Sequence, residues 1–308
     1  MSLPMGRALV VGGNGFLGAH LVDALVADGW RVDVFDRFTT GPRYRSTSPR
    51  VLRGTFSAGD EIRRAVDGHD LIVHALSGTT PSNSLGGPQA DLQANVSPTL
   101  DMLGEAVRTG VGRVLFISSG GTVYGSAQGA VPEDAPLLPI SPYGIGKVAI
   151  EHYLRYFSIE HGLRSAALRV ANPYGLRADA TLPGFGLVSA LLRAAAADGR
   201  ANRLGDGSMV RDYLHVDDVI EQMRHVIADV SFSGPVNIGS GSGRSVQEII
   251  DVVRATTGAS LPVDEHEVPA SFVDHIVLDT ARFAEHFGTL PQLPLREGIE
   301  RTWREWRR

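Results

Sequence analysis

Gly12-Gly13-Asn14-Gly15-Phe16-Leu17-Gly18 is the stretch that decides the fold. A short apolar run, Arg7 to Val11, precedes it, and the segment from Ala19 to Ala27 carries apolar residues at helical spacing. The local order is therefore strand, glycine turn and helix. Glycines allow the backbone to turn tightly and to approach a pyrophosphate, whose charge then lies at the helix N-terminus. The stretch predicts a dinucleotide site formed by Gly12, Gly15, Phe16, Leu17 and Gly18.

Asp36 ends the next predicted strand, Arg31 to Phe35, and lies 21 residues after Gly15. An acid at this point can accept hydrogen bonds from the adenosine ribose hydroxyls, which favours NAD over NADP. A strand-end acid in an ordinary turn is the alternative. Arg37 leaves NADP as an alternative cofactor, because an arginine there could bind a 2′-phosphate. We expect NAD as the cofactor, with Asp36 and Arg37 in its site.

Short apolar runs alternate with helical segments along the following chain. The runs are Val51 to Arg53, Leu71 to His74, Val114 to Ile117 and Ser165 to Val170. This alternation predicts an α/β fold with a parallel, doubly wound sheet. After residue 172 the spacing becomes irregular. We therefore expect a dinucleotide-binding Rossmann domain over residues 1–172, with a return segment at about 214–240, and a smaller C-terminal substrate-binding domain mainly over 173–308.

Lys147 is the only lysine among the 29 Lys and Arg residues of the chain. A chain that uses arginine almost everywhere would retain a lysine where an ammonium does what a guanidinium cannot. Lys147 follows Tyr143 by four residues, so on a helix that starts at Pro142 with Ser141 as its cap the two side chains share one face. A nearby cation favours the phenolate, so we predict that Tyr143 accepts a proton from an alcohol, with a pKa brought toward neutral pH. An exposed helix lysine is the alternative.

Polar loops follow two of the predicted strands at their carboxyl ends, where such a sheet has its ligand crevice. One loop runs from Ser77 to Asn83. His74, just before it, ends a buried run, and we interpret it as a core or strand-end residue rather than a catalytic one. The other loop, residues 118–125 with the sequence SSGGTVYG, precedes the Tyr143 helix. Its hydroxyls could hold a sugar alcohol and relay its proton to Tyr143, although serine-rich turns also occur without function.

The composition is that of a globular protein without a polyanion partner. The 308 residues are 43% hydrophobic and 20% charged, which suffices for one large domain and a smaller one. A formal charge of -5 and a pI near 6.1 give no general attraction to nucleic acid or to an anionic membrane. The lack of cysteine excludes disulfides and thiolate metal sites, and no metal is expected. We find neither a membrane-spanning apolar run nor a signal peptide, and expect a cytoplasmic protein.

Taken together, these stretches resemble the extended short-chain dehydrogenases, and within them the nucleotide-sugar epimerases and dehydratases typified by UDP-glucose 4-epimerase. The resemblance covers nearly the whole chain. It rests on Gly12, Gly15, Gly18, Asp36, Asn95, residues 118–125, Tyr143, Lys147, residues 172–175 (NPYG), residues 205–207 (GDG) and residues 211–213 (RDY). It implies NAD as cofactor and a nucleotide diphosphate sugar as substrate.

The resemblance also implies roles for matching residues on the cofactor side. Tyr143 would take the proton from the sugar hydroxyl. Lys147 would bind the nicotinamide ribose and, with the positive ring of the cofactor, lower the pKa of the phenol. Further implied contacts to the cofactor come from Ala75, Leu76, Ser77, Asn95, Tyr143 and Lys147.

On the substrate side, the resemblance implies that Asn172 and Arg211 hold the diphosphate. The planar fork of an arginine suits that task because it can pair with two phosphate oxygens at once. A surface ion pair of Arg211 with Asp212 or Asp217 is the alternative. The implied substrate contacts are Thr79, Thr122, Asn172, Arg211 and Asp274.

Three positions depart from the family pattern. Gly120 stands where a hydroxyl residue is expected, four positions before the tyrosine of Val-Tyr-Gly, so Ser119 or Thr122 would have to act in its place. In an extended backbone the residue two positions along points to the same side, which favours Thr122 over Ser119. The acid pair that 4,6-dehydratases carry before Val-Tyr-Gly is absent. Ser271 stands where a second phosphate-binding arginine is expected.

These features favour an NAD-dependent nucleotide-sugar 4-epimerase of the UDP-glucose/UDP-galactose type, which moves hydride from sugar C4 to NAD and returns it to the other face. An NAD(P)H-dependent nucleotide-ketosugar reductase is the alternative. A non-catalytic dinucleotide sensor fits less well, because Tyr143 and Lys147 are both retained. From the resemblance, and from helices predicted near Pro88 to Thr109 and Pro142 to His161 that could form a four-helix interface, we expect a homodimer.

Overall fold

The computed structural model of the protein describes residues 6–39, 41–57, 59–81, 83–84, 87–177 and 186–308. None of the helices in these ranges is long and apolar enough to cross a membrane. A π-helical turn, Leu92–Val96, connects the helix Pro88–Asp91 to the helix Ser97–Thr109. The helices in chain order are α1 Phe16–Ala27, α2 Gly59–Val66, α3 Pro88–Asp91, α4 Ser97–Thr109, α5 Gly120–Val123, α6 Pro142–His161, α7 Leu187–Ala196, α8 Val216–Ala228, α9 Val246–Thr257, α10 Ala281–Phe287 and α11 Leu295–Trp306.

The strands include every one predicted from the apolar runs, each with the same or slightly wider limits. They are β1 Arg7–Val11, β2 Arg31–Asp36, β3 Arg50–Arg53, β4 Leu71–His74, β5 Arg113–Ser119, β6 Ala130–Val131, β7 Arg164–Val170, β8 Asn172–Tyr174, β9 Ala201–Leu204, β10 Val210–His215, β11 Gly234–Ile238, β12 Gly243–Ser245, β13 Val263–His266 and β14 His275–Leu278.

Seven of these strands form one sheet in the order β11-β7-β5-β4-β1-β2-β3, and all its pairings are parallel. The predicted α/β fold with a parallel, doubly wound sheet is therefore confirmed. The chain winds outward from β1 in one direction through β2 and β3, and in the other through β4 and β5. The carboxyl ends of β1 and β4 consequently border the crevice where sheets of this kind bind ligands.

Successive residues of β1 are buried in opposite apolar layers. Ala8 and Val10 belong to the cluster that α1 and α8 cover, whereas Leu9 and Val11 belong to the cluster under α2, α4 and α6. A parallel strand covered on both faces requires an unbroken apolar run, which explains the sequence of this strand. The same layering holds the glycine turn and α6 at one edge of the sheet.

A second group of elements lies outside the seven-stranded sheet. At its centre β10 pairs with β8, β12 and β14, and β14 also pairs with β6. Helices α7, α9 and α11 enclose a separate apolar cluster that includes Leu192, Ile249 and Ile299. In contrast, β11 lies in the main sheet beside β7, and α8 packs in the layer of α1. The division at residue 172, with a return segment at about 214–240, stays a prediction.

Candidate active site

The glycine turn brings the end of β1 against the loop that follows β4. Gly12 has a φ of 82°, which favours glycine, and its N–H donates to the Phe35 carbonyl at 2.8 Å. A Cβ atom on Gly12 would lie 2.6 Å from the main chain of Leu76. Helix α1 begins directly after Gly15, at Phe16 rather than at Ala19. Glycine at position 12 therefore allows the turn to pack directly against the loop after β4.

Asp36 lies at the end of β2 with its carboxylate against this turn. Its Oδ2 accepts a hydrogen bond from the Asn14 N–H at 3.0 Å, and its Oδ1 accepts one from the Arg37 N–H at 2.7 Å. The Arg37 residue itself is exposed. The acidic side chain of Asp36, rather than the basic side chain of Arg37, thus lies beside the glycine turn.

The loop after β4 is fixed by Asn95, which lies in the π-helical turn. Asn95 Oδ1 accepts from the Gly78 N–H at 2.7 Å, and its Nδ2 donates to Thr79 Oγ1 at 2.9 Å. The Thr79 hydroxyl in turn donates to the buried carboxylate of Asp91, a residue that no sequence motif singled out. The Ala75 N–H donates to the Val11 carbonyl at 2.8 Å, so Ala75, Leu76 and Ser77 lie along the end of β1. Ser82 of the predicted loop lies outside the described residues.

His74 is a buried residue, as predicted. Its ring packs between those of Phe56 and Phe116, at centroid distances of 5.0 and 5.3 Å, and its Nε2 lies 2.9 Å from Thr99 Oγ1. Burial, with a smaller effect of the Lys147 ammonium, lowers the pKa of His74 to about 3, so the ring is neutral at pH 7. His74 therefore supports the core beneath the site rather than titrating in it.

Tyr143 and Lys147 lie one turn apart near the start of α6. The Ser141 hydroxyl caps this helix by accepting from the Gly144 N–H at 3.2 Å, as the sequence predicts. Lys147 is buried, and its Nζ donates to the Ile117 carbonyl at the end of β5 at 2.8 Å. The ammonium lies 4.6 Å from the centroid of the Phe116 ring and 5.4 Å from that of Tyr143. The two predicted catalytic groups thus share one enclosed pocket.

The expectation that Lys147 brings the Tyr143 pKa toward neutral pH is wrong for the protein groups alone. Burial of the phenol raises the pKa of Tyr143 to about 12, the Asp91 carboxylate adds to this, and a hydrogen bond with Ser119 opposes it. Burial also lowers the pKa of Lys147 to about 8, against the opposing effects of Asp91 and Glu151. The physical reason is that desolvation disfavours the charged form of both groups.

The preference for Thr122 over Ser119 rested on an extended backbone, and that premise is wrong. Residues Gly120–Val123 form the short helix α5, so side chains two positions apart no longer share a side. The Thr122 hydroxyl donates to the Ser119 carbonyl at 3.4 Å, whereas the Ser119 hydroxyl lies near enough to the Tyr143 phenol to oppose the rise of its pKa. Of the two residues, Ser119 is therefore better placed to act as a proton relay.

A buried ion pair that was not predicted anchors α6 behind the site. Glu151 accepts from Arg169 Nη2 at 2.7 Å and from the Ser118 hydroxyl at 2.5 Å. Arg169 also donates to the Tyr124 hydroxyl and to the Glu133 carbonyl, both at 2.8 Å. Glu151 follows Lys147 by four residues, and this spacing is the signal in the sequence that could have revealed it.

Two of the predicted substrate residues, Asn172 and Arg211, lie on the paired strands β8 and β10, and Asp274 directly precedes β14. Thr79 lies in the loop after β4, and Thr122 lies in α5. Tyr213 of β10 pairs with Asn172 of β8, and Asn172 Nδ2 donates to the Asp212 carbonyl at 3.2 Å. Arg211 Nη1 donates to the Asp274 carbonyl at 2.9 Å. A Cβ atom on Gly121 would lie 3.5 Å from Asn172 Nδ2, so these strands reach the segment that follows Ser119.

Arg211 does not form the surface ion pair that was the alternative. Its Nη1 and Nη2 donate to the main-chain carbonyls of Val210, Val273 and Asp274. Asp212 is buried and accepts from the Ser240 hydroxyl at 2.5 Å, and Asp217 pairs with Arg301 at 2.8 Å. The Arg211 guanidinium is thus oriented by main-chain oxygens, and no carboxylate neutralises it within the described residues.

Gly120 lacks the expected hydroxyl for a steric reason, and this gives a prediction. A Cβ atom there would lie 2.5 Å from Leu278 Cδ1 and 3.0 Å from the Arg169 carbonyl oxygen. We expect Gly120→Ala to lower the free energy of unfolding by about 1 to 3 kcal/mol through overpacking, as measured by urea denaturation. Gly121→Ala, in the same helix with its nearest contact at 3.5 Å, is the matched control and should be neutral or stabilising. Equal losses in the two variants would contradict this explanation.

Comparison with known proteins agrees with this geometry. Residues 8–239 match the family described as the NAD dependent epimerase/dehydratase family. The chain is 33% identical to a UDP-glucose 4-epimerase of Mycolicibacterium smegmatis, over 96% of this chain and 97% of that protein. The fold matches the UDP-glucose 4-epimerase of Thermotoga maritima with UDP-glucose (TM-score 0.90, 29% identity, 98% of each chain). It also matches that of Thermus thermophilus with NAD (TM-score 0.89, 30% identity, 98% and 99% of the chains). Because the family match and the similarity both extend over most of its length, this chain belongs to the NAD-dependent epimerase/dehydratase family.

Proposed function

We propose that the protein is an NAD-dependent nucleotide-sugar 4-epimerase of the UDP-glucose/UDP-galactose type. The observation that carries the proposal is the meeting of Tyr143, Lys147 and Ser119 at the carboxyl end of β5. The similarity to UDP-glucose 4-epimerases over nearly the full length supports it. A 4,6-dehydratase is disfavoured because Gly120, Gly121 and Thr122 provide no acid pair before Val-Tyr-Gly.

NAD would lie across the crevice between β1 and β4, on residues that already fit a dinucleotide. Gly12, Gly15, Phe16, Leu17 and Gly18 would face the pyrophosphate, and Asp36 would accept from the adenosine ribose. The fit is supported by the start of α1 directly after the glycine turn and by the carboxylate beside the turn. A carboxylate there repels a 2′-phosphate, which favours NAD over NADP. Ala75, Leu76, Ser77, Asn95 and Lys147 would complete the site.

In the reaction we propose, Tyr143 takes the proton from the sugar hydroxyl at C4, directly or through Ser119, and later returns it. When bound, NAD supplies the hydride acceptor and donor and a positive ring charge that favours the phenolate. Lys147 supplies a second positive charge from the protein side. Ser119 would orient the hydroxyl oxygen toward Tyr143, because its own hydroxyl lies near the phenol and lowers its pKa.

Arg211 and Asn172 would bind the substrate diphosphate, with Thr79, Thr122 and Asp274 as further contacts. Three of the five N–H groups of Arg211 donate to main-chain oxygens, which leaves two for phosphate oxygens. A guanidinium held in this way loses little conformational entropy on binding a ligand. Ser271 adds no second cation, so Arg211 would carry most of the electrostatic attraction.

We also propose a homodimer, formed by the exposed face of α6. Ile145, Tyr153, Tyr156 and Ile159 are 40 to 75% exposed and fall on one stripe of this helix. Leu92, in the π-helical turn that contacts α6, is 46% exposed. Packing two such faces together would bury these side chains in a four-helix arrangement. A cytoplasmic location is a further proposal, supported by the absence of cysteine.

The direct test is interconversion of UDP-glucose and UDP-galactose by the wild type and by Lys147→Arg. We expect the wild type to interconvert them, and Lys147→Arg to lose activity by at least about 100-fold, because the larger guanidinium cannot occupy the enclosed site beside Ile117. The reverse exchange at an exposed helix position, Arg296→Lys, is the matched control and should not change turnover. Near-normal turnover in a folded Lys147→Arg variant would contradict the assigned role.

A second test separates the two candidate relay residues. We expect Ser119→Ala to lower kcat by about 100- to 10,000-fold, because it removes the hydroxyl that lies near the Tyr143 phenol. Thr122→Val keeps the shape of the side chain and removes a hydroxyl that bonds only the Ser119 carbonyl in the described residues. It should reduce kcat far less, and NAD affinity should be unchanged in both variants. The reverse order of effects would return the role to Thr122.

The dimer is tested by light scattering. We expect the wild type at twice the monomer mass of 32.9 kDa. The double variant Tyr156→Glu/Ile159→Glu should run as a monomer, because it would bury two charges in the proposed interface. Val230→Glu changes another exposed apolar residue, 59% accessible and outside α6, and should leave the mass unchanged. A wild-type protein at the monomer mass would refute the proposal.

A further inference from the structure

Asp91 is a buried carboxylate for which the reaction described above has no role. It ends α3 and is 1% exposed. Its Oδ1 accepts from the Thr79 hydroxyl and from Asn95 Nδ2, the latter at 3.1 Å. Both donors are neutral, and the described residues place no cation in an ion pair with Asp91. A buried carboxylate that forms no ion pair costs considerable free energy, which calls for a functional reason.

The Asp91 carboxylate faces the two catalytic groups of α6. Together with Tyr143, Lys147 and Asn95 it lines one small cavity. Gly146 makes this approach possible, because a Cβ atom there would lie 2.8 Å from Asp91 Oδ2. Glycine at position 146, between Tyr143 and Lys147 along the helix, therefore leaves room for the Asp91 carboxylate to come close.

The other charged and titratable groups around Lys147 are compensated or neutral. Glu151, on the same helix, is paired with Arg169 of β7. His74 of β4 is neutral at pH 7, and Tyr143 is protonated there. Among the described residues, Asp91 is therefore the acid near the Lys147 ammonium whose negative charge is not offset by an arginine partner.

We propose that Asp91 is a positioning residue for the reaction: its carboxylate, fixed by Thr79 and Asn95, keeps the buried Lys147 in its ammonium form beside Tyr143. The effect of Asp91 on turnover rests on the proposed function. Its effect on the charge of Lys147 does not, because that effect requires only that the two groups line the same cavity.

The direction of the effect can be worked out for both groups. A negative charge favours the ammonium and disfavours the phenolate, so Asp91 raises the pKa of Lys147 and of Tyr143. Lys147 must be protonated for the reaction, and Tyr143 must be able to lose its proton. Without the Asp91 charge, the pKa values of both groups would be lower. The loss of activity at alkaline pH, which follows deprotonation of Lys147, would therefore move to lower pH. The gain of activity at acid pH, which follows deprotonation of Tyr143, would move in the same direction.

The single lysine of the chain allows a direct measurement. Biosynthetic labelling with lysine carrying carbon-13 at the ε position gives one side-chain lysine NMR signal, whose pH titration reports the charge of Lys147. We expect a midpoint near pH 8 in the wild type and a midpoint lower by about one pH unit or more in Asp91→Asn, which keeps an acceptor for Thr79. Asp101→Asn removes an exposed acid of α4 that pairs with Arg63, and should leave the midpoint unchanged.

The pH profile of kcat for UDP-sugar interconversion completes the test. We expect both limbs to move to lower pH in Asp91→Asn, whereas a purely structural defect would lower kcat without moving them. An unchanged lysine midpoint in folded Asp91→Asn would overturn the inference. If that variant does not fold, Asp91→Ser gives the same comparison. A wild type that does not interconvert UDP-sugars refutes the proposed function, while the lysine midpoint still decides the role of Asp91.

Discussion

The buried ammonium of Lys147 is the constraint on which the rest of the site depends. An ammonium removed from water is costly unless it is hydrogen-bonded and lies near negative charge. Here it donates to the Ile117 carbonyl, packs against the Phe116 ring, and is stabilised by the carboxylates of Asp91 and Glu151. Ile117 and Phe116 belong to β5, Asp91 ends α3, and Glu151 lies one turn further along α6. The position of the cation therefore depends on the correct packing of α6 against β5, α3 and the loop after β4.

Three successive turns of α6 meet three successive residues at the end of β5. Lys147 donates to the Ile117 carbonyl, Glu151 accepts from the Ser118 hydroxyl, and the Tyr143 phenol lies near the Ser119 hydroxyl. Tyr143, Lys147 and Glu151 are four residues apart and so lie on one face of the helix. A slip of the helix by one residue would break all three contacts at once. The pairing of Glu151 with Arg169 adds a buried electrostatic tie to the next strand, β7.

The substrate side is organised by the same chemistry, a charged group held by main-chain partners. Asp212 accepts from the N–H groups of Ser240 and Gly241, while its neighbour Arg211 donates to carbonyl oxygens before β14. Because adjacent residues of a strand point in opposite directions, Asp212 is buried in the interior, whereas Arg211 faces the segment that precedes β14. The adjacent charges of the RDY sequence therefore have separate tasks and do not form a pair.

Local sequence was sufficient for the parts of the molecule that depend on local chemistry. Apolar runs determined the strands, glycines determined the turn after β1, and the spacing of Tyr143 and Lys147 placed both on one helical face. Only the tertiary structure showed that the chain after Ser119 is helical rather than extended, which removes the reason for preferring Thr122. Asp91 and Arg169 also escaped notice, since no fixed spacing links them to the residues they contact. The pKa of Tyr143 was misjudged for the same reason: desolvation is set by what the whole fold packs around a group, and a sequence lists neighbours along the chain, not in space.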